Sequence, residues 1–106
     1  MEQISVEEVK RRLDKGERIH LVDVREPAEV AEFNIGGHHI PLGKIQNMQV
    51  DEIENLKQEE VVVYCRSGNR STQASLIMET LGFKNVKNLK GGMLDWKGKF
   101  GDKRPA

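Results

Sequence analysis

The sequence has one cysteine, no net charge and no long apolar run, and each of these absences excludes a class of protein. With Cys65 alone, the chain can form no internal disulfide, and it has no Cys-x-x-Cys pair for zinc or dithiol chemistry. Its 17 basic and 17 acidic residues cancel, so it lacks the basic field that attracts nucleic acid or an anionic membrane. No segment is apolar for long enough to be a signal peptide or a membrane span, which predicts a cytoplasmic protein.

The chain length is also limiting. A chain of 106 residues can build one domain with one core and is too short for two, and a monomer is the default expectation. The only tryptophan, Trp96, is expected to cover the core. The final stretch, Lys97 to Ala106, is basic and has no periodicity, so we expect it to be loose or to pack only in part.

The most informative stretch is an apolar run, Val61 to Tyr64, that leads directly into a polar loop starting at Cys65. An uninterrupted β-branched run predicts a strand buried on both faces, as in a parallel sheet. Helical spacing of apolar residues follows the loop and predicts a helix from about Arg70 to Gly82. Cys65 is therefore expected at the carboxyl end of a strand and in front of a helix N-terminus, where open α/β sheets bind ligands.

This position predicts a reactive thiol. The unpaired N–H groups of the loop and of the helix start carry partial positive charge and stabilise a thiolate, and Arg66 and Arg70 add full charges. A thiol in such an electropositive, partly exposed setting is a nucleophile. The alternative is a small buried apolar residue at a strand end, which is how most free cysteines behave. We favour the nucleophile because two arginines, a glycine and a helix start converge on Cys65.

The other elements follow from periodicity and from end signals such as the Ser5-x-x-Glu8 capping box. Alternating strands and helices predict a mainly parallel sheet of about five short strands with helices on both faces. The predicted elements are a helix from Val6 to about Lys15, a strand from Ile19 to Val24, a short helix with Pro27 in its first position, a two- or three-residue strand at His39 to Pro41, a helix from Ile45 to Leu56 with Val50, Ile53 and Leu56 facing inward, a strand from Val86 to Leu89, and a brief helix after Gly91 and Gly92.

Two other groups of polar residues have to be considered as sites. Asp23 and Arg25 end an early strand, and they are either part of a site or an ion pair that pins the next loop. His38 and His39 are adjacent, so their side chains point in different directions, and His20 is the only other histidine. Without acidic residues at ligand spacing, the histidines predict no metal site.

Four segments of the chain together resemble a single-domain rhodanese. The resemblance covers nearly the whole chain in the family's order and spacing, and it implies a rhodanese fold over residues 1–106. The segments are Leu21 to Glu26 followed by Glu32-Phe33, Ile40 to Leu42, the loop Cys65 to Arg70, and Leu89 to Met93 with Trp96.

The resemblance implies a sulfurtransferase that needs no cofactor. Cys65 would accept a sulfane sulfur from a small anionic donor such as thiosulfate, forming a persulfide, and would pass it to cyanide, a thiol or a protein. Asp23 and Arg25 would support the loop, and Arg66 and Arg70 would attract the donor. The backbone N–H groups that would cradle the outer sulfur are those of Arg66, Ser67, Gly68, Asn69, Arg70 and Ser71.

Three alternatives remain open. A phosphatase or arsenate reductase of the same fold needs a Cys-x5-Arg loop, whereas here the spacing is Cys-x4-Arg and Ser71 stands where that arginine would be. A non-enzymatic sulfur carrier or binding module could keep the same loop. A redox sensor would oxidise Cys65 to sulfenic acid and, without a resolving cysteine, would need an external thiol to recover.

Overall fold

The computed structural model describes residues 1–105, which form a five-stranded parallel sheet with helices on both faces. The strands lie side by side in the order β1-β5-β4-β2-β3, and every neighbouring pair is parallel. The predicted parallel sheet of about five short strands is therefore confirmed. The strands are β1 (Glu2–Ile4), β2 (His20–Asp23), β3 (His38–His39), β4 (Glu60–Tyr64) and β5 (Asn85–Leu89).

Six helical elements cover the sheet. Helices α3 and α4 and the 3-10 helix pack with Val61 and Val63 in one buried cluster, whereas α1 and α5 pack with Val62 and Tyr64 in the other. Successive residues from Val61 to Tyr64 therefore face opposite cores, which explains why no charged residue interrupts this part of β4. The elements are α1 (Val6–Asp14), α2 (Pro27–Glu32), α3 (Leu42–Gln46), a 3-10 helix (Asp51–Leu56), α4 (Asn69–Thr80) and α5 (Gly92–Phe100).

The helix starts agree with the sequence signals, with one exception. Ser5 is the N-cap of α1, and its hydroxyl accepts a hydrogen bond from the backbone N–H of Glu8 at 3.0 Å. The Glu8 carboxylate, however, accepts two hydrogen bonds from Arg11 at 2.7 Å, so half of the predicted capping box is formed. Pro27 is the first residue of α2, as predicted. The starts of α1 and α2 could be predicted because the residues that mark them lie next to the helix in sequence.

The predicted single helix from Ile45 to Leu56 is wrong. Helix α3 ends at Gln46, Met48 adopts a φ of 61°, and the chain then forms the 3-10 helix. A positive φ is incompatible with a continuous right-handed helix. Three apolar side chains of this segment are nevertheless buried as predicted, namely those of Val50, Ile53 and Leu56.

The two edge strands of the sheet, β1 and β3, were not predicted accurately. Strand β1 was not predicted, because only Ile4 of its three residues is buried and no alternating pattern can show. Strand β3 lies at His38–His39, one residue earlier than expected. The strand-like pairing continues beyond it, since the N–H of Ile40 donates to the Asp23 carbonyl at 2.9 Å.

The stretch from Lys97 onward was expected to be loose or to pack only in part, and its first residues pack as the end of a helix. Residues 97–100 belong to α5, and the ring of Phe100 packs edge-on against Trp96 with centroids 5.1 Å apart. Trp96 is fully buried, as predicted, and its indole N–H donates to the Lys103 carbonyl at 3.0 Å. Ala106 lies outside the described residues. Within residues 1–105, no helix has the length and apolarity needed to cross a membrane.

Candidate active site

Cys65 follows β4 directly, and its sulfur is surrounded by hydrogen-bond donors of the next six residues. The backbone N–H groups of Gly68 and Ser71 donate to Cys65 Sγ at 3.1 and 3.3 Å. The Ser71 hydroxyl lies 3.4 Å from the same sulfur. The loop thus forms a small nest of N–H dipoles around one atom, an arrangement that favours an anion.

The thiol is fully buried, which corrects the expected partly exposed setting. Arg66, Ser67 and Asn69 are exposed on the outside of the loop, while Gly68 beneath them is buried. Because the sulfur has no exposed surface, the loop or the Cys65 side chain has to move before a reagent can reach it. Sequence periodicity placed Cys65 correctly at the strand end but gave no information on how the loop folds over it.

Helix α5 fixes the other side of the loop peptides. The N–H groups of Met93 and Leu94 donate to the carbonyl oxygens of Cys65 and Arg66, both at 2.9 Å. A Cβ on Gly92 would lie 2.5 Å from the Cys65 oxygen, so only glycine allows this close approach. Helix α5 therefore fixes the start of the loop, from which the chain continues to the N–H groups of Gly68 and Ser71 that donate to the sulfur. The sequence showed Gly91-Gly92 as a turn but did not reveal this contact.

Two opposing effects act on the pKa of Cys65. Burial raises the pKa of the thiol, whereas hydrogen bonds that the thiolate accepts from the Ser71 hydroxyl and from the amides of Ser71, Gly68 and Ser67 lower it. The hydrogen bonds outweigh burial, and the pKa of Cys65 lies below its ordinary value. A lowered pKa increases the thiolate fraction near neutral pH, and the thiolate is the nucleophilic form.

The two arginines of the loop have different environments. Arg70 forms two parallel hydrogen bonds with the Glu29 carboxylate of α2, each 2.8 Å long. Arg70 lowers the pKa of Glu29 to about 2, so the pair is charged over the whole physiological range. The Arg66 guanidinium, by contrast, is exposed and makes no ion pair or hydrogen bond with any other residue in 1–105. Sequence reasoning missed Glu29, which lies 41 positions from Arg70.

Asp23 and Arg25 form a buried ion pair at the neighbouring strand end. Their side chains are 2% and 5% exposed, and Arg25 Nη2 lies 2.8 Å from Asp23 Oδ2. The guanidinium also donates to the Phe33 carbonyl at 2.7 Å, beyond the end of α2. The pair therefore pins the segment from β2 through α2, which is the segment that carries Glu29. Of the two interpretations left open by the sequence, the geometry favours the ion pair.

A cavity of about 100 Å³ lies between α2 and α5, beside the loop. Its charged walls include Arg66 and Lys97 as well as Glu29 and Glu32, and Met93 adds an apolar surface. The three histidines do not converge there: in residues 1–105 no three His, Cys, Asp or Glu side chains are placed to hold a metal ion. The imidazole Nε2 of His39 instead lies 2.7 Å from the Arg25 carbonyl.

The parallel sheet and its strand-end cysteine nest define an α/β protein with an anion-stabilised thiol. Residues 5–99 match the model of the rhodanese-like domain, and the chain belongs to this family. The Bacillus subtilis protein YrkF, provisionally named a sulfur carrier protein, is 40% identical over 92% of this chain. A Schizosaccharomyces pombe protein, provisionally named a mitochondrial thiosulfate sulfurtransferase, is 42% identical over 78% of it. The chain spans 51% and 66% of these two relatives.

A solved structure shows the same fold over nearly its whole length. The human single-domain sulfurtransferase TSTD1 superposes with a TM-score of 0.77 at 27% identity, covering 93% of this chain and 97% of that one. The family and the names of these relatives support a sulfurtransferase of the rhodanese type.

Proposed function

We propose that Cys65 takes a sulfane sulfur from a small anionic donor such as thiosulfate and transfers it to a thiophilic acceptor. The observation that carries this proposal is the nest of N–H groups on Cys65 Sγ, with Gly68 and Ser71 at 3.1 and 3.3 Å. A nest of this kind stabilises both a thiolate and the anionic outer sulfur of a persulfide.

The reaction takes place in two balanced half-reactions. The Cys65 thiolate attacks the outer sulfur of thiosulfate, the sulfur–sulfur bond of the donor breaks, and sulfite leaves with the bonding electron pair. The product is a persulfide on Cys65. Cyanide or a thiolate then attacks the outer sulfur, the bond to Sγ breaks, and the electron pair returns to Cys65 as the thiolate. No cofactor and no second cysteine takes part.

The charges around the loop suggest how the donor binds. Arg66 is exposed and unpaired within residues 1–105, so it is free to attract a doubly negative donor. Arg70 is held by Glu29 and contributes mainly by fixing the first turn of α4. Because Cys65 is buried, we expect loop residues 66–69 to move outward before the donor reaches the sulfur.

The main competing function is that of a sulfur carrier, which the name of YrkF favours. A carrier would load sulfur on Cys65 and release it only to a specific protein, whereas the enzyme proposed here releases it to small acceptors. Phosphatase chemistry is not favoured, because Arg70 is engaged by Glu29 and Ser71 occupies the position of the required arginine.

The test is the intact mass of the protein after incubation with thiosulfate, followed by cyanide and a thiocyanate assay. The wild type is expected to gain one sulfur atom and lose it to cyanide, and Cys65→Ser should do neither. Stable loading that neither cyanide nor a small thiol removes would favour the carrier. If thiosulfate and a low-molecular-weight persulfide both fail to load sulfur, the proposal is wrong.

A further inference from the structure

A chain of four side chains leads from the buried sulfur to the edge of the sheet. Cys65 Sγ lies 3.4 Å from Ser71 Oγ, and the Ser71 hydroxyl makes a short hydrogen bond to Asn88 Oδ1. Asn88 Nδ2 in turn donates to Gln3 Oε1 at 3.0 Å. Ser71 and Asn88 are buried, whereas Gln3 is exposed on the edge strand β1. The chain connects α4, β5 and β1 to the sulfur.

Along these four side chains, every donor points away from the sulfur. The Cys65 S–H donates to Ser71, the Ser71 O–H donates to Asn88, and the Asn88 N–H donates to Gln3. A serine hydroxyl has one proton, so Ser71 cannot donate to Asn88 and to the sulfur at the same time. With the Asn88 carbonyl oxygen facing Ser71 and accepting its proton, the arrangement suits a neutral thiol. A thiolate has no proton to donate and gains most when Ser71 donates to it.

We propose that Asn88 is a positioning residue whose amide orientation directs the Ser71 hydroxyl proton either to Asn88 itself or to the sulfur of Cys65. Rotating the amide by half a turn exchanges its oxygen and nitrogen without changing its shape. Asn88 Nδ2 then donates to Ser71, Ser71 donates to the sulfur, and Asn88 Oδ1 accepts from Gln3 Nε2. The thiol proton leaves to solvent, and no covalent bond other than S–H breaks.

The surroundings leave Ser71 as the donor that can change direction. The other groups that lower the pKa of Cys65 are the backbone N–H groups of Gly68, Ser71 and Ser67, which neither rotate nor titrate. Arg70 is the charged side chain whose field couples to Cys65, and Glu29 holds it in place. Asn88 packs against the loop itself, since its Nδ2 would lie 3.7 Å from a Cβ on Gly68.

The variant Asn88→Asp tests the proposal, because a carboxylate only accepts and keeps the Ser71 proton turned away from the sulfur. We expect the apparent pKa of Cys65 to rise by about one unit, which is tenfold in the thiolate equilibrium. The measurement is the ultraviolet absorbance of the thiolate against pH. Cys65 is the only cysteine, so the signal has one source.

Two comparisons separate the hydrogen-bond effect from added charge. Asn85→Asp places the same charge on an exposed position of β5 and should leave the titration unchanged. In a Ser71→Ala background, the part of the shift that acts through the hydroxyl should be lost, and only the smaller direct effect of the added charge should remain. An effect that persists at full size in that background would overturn the proposal.

A surface variant keeps the test valid if Asn88→Asp does not fold. Gln3→Glu changes an exposed side chain and can only accept, so it holds Asn88 Nδ2 toward β1. We expect a smaller upward shift of the Cys65 pKa, again reduced by Ser71→Ala. The absence of a shift in Gln3→Glu and in any folded Asn88→Asp would refute the role of Asn88.

The inference rests on the proposed function only in treating Cys65 as the nucleophile. Thiolate titration needs no sulfur donor, so the two proposals can fail separately. A shift of the Cys65 pKa in Asn88→Asp, together with no sulfur loading in the wild type, would contradict only the proposed function. Normal sulfur loading of the wild type, together with no shift of the Cys65 pKa in Asn88→Asp, would contradict only the role of Asn88.

Discussion

Two loops leave neighbouring parallel strands at the same edge of the sheet, and they use polar groups in opposite ways. After β2, the charges of Asp23 and Arg25 satisfy each other in a buried pair. After β4, uncharged backbone N–H groups converge on Cys65 and leave room for a negative charge. The charged loop is thus a structural element, and the chemistry proposed for the second loop depends on backbone dipoles. Each of the following changes tests this difference.

The largest effect is expected when the charge of Asp23 is removed. Asp23→Asn keeps the shape but leaves Arg25 buried without a counter-ion, which typically costs about 3 to 5 kcal/mol of unfolding free energy. Urea denaturation followed by circular dichroism measures the loss. Glu8→Gln, which breaks an exposed pair with Arg11, is the control and should hardly change the midpoint. A loss no larger than that of the control would contradict the structural role of the Asp23–Arg25 pair.

The next effect concerns the backbone support of the cysteine loop. In Gly92→Ala the new Cβ would lie 2.5 Å from the Cys65 oxygen and 2.6 Å from the Arg66 oxygen, at a φ of 56°. We expect a loss of about 2 to 3 kcal/mol and a higher pKa of Cys65 as the N–H groups move. Gly98→Ala in the same helix meets no atom within 4 Å. It should stabilise the protein by about 0.5 to 1 kcal/mol in the same denaturation assay.

The two loop arginines should separate binding from stability. Arg66→Ala is expected to raise KM for thiosulfate about tenfold at low salt, with little change in stability, because its charge is exposed and unpaired in residues 1–105. Arg70→Ala should cost about 1 kcal/mol of stability and change KM less, since it breaks the pair with Glu29. Steady-state kinetics and urea denaturation of both variants check this pattern, and the reversed pattern would refute it.

The smallest effect is a change in acid stability. Arg70 lowers the pKa of Glu29 to about 2 in the folded protein, below the ordinary 4.5. A lowered carboxyl pKa contributes stability that is complete above pH 4.5 and lost as the pH falls toward 2. Glu29→Gln should therefore lose less stability than the wild type on acidification, by about 1 kcal/mol. Urea midpoints at neutral and acidic pH provide the measurement, with Glu59→Gln expected to behave as the wild type.

The sequence predicted those elements whose signals lie within one turn or one strand. Strand β4 and helix α4 were recognised because a β-branched run and a helical spacing of apolar residues are local patterns. The segment from Ile45 to Leu56 has the same apolar period, but the positive φ of Met48 breaks it into two pieces. Strand β1 has three residues and one buried side chain, so the sequence carries no pattern from which its pairing with β5 could be predicted.

The candidate site also has features that the sequence predicted and features that it did not. The position of Cys65 between a strand and a helix was predictable because the loop is contiguous in sequence. The partners that shape the loop come from elsewhere: Glu29 reaches Arg70 from α2, and Gly92 approaches from α5. The burial of Cys65 also results from this tertiary packing. Local sequence therefore located the candidate nucleophile, and the fold determines its access and its hydrogen bonds.

The position of Trp96 gives the protein an intrinsic fluorescent reporter of the loop. Trp96 is the only tryptophan, it is fully buried, and it belongs to the helix whose first N–H groups hold the Cys65 and Arg66 carbonyls. Indole emission shifts to longer wavelength when the ring meets water. Any opening of the loop that displaces α5 should thus shift the emission maximum of Trp96. Loop motion can then be followed in time without attaching a dye.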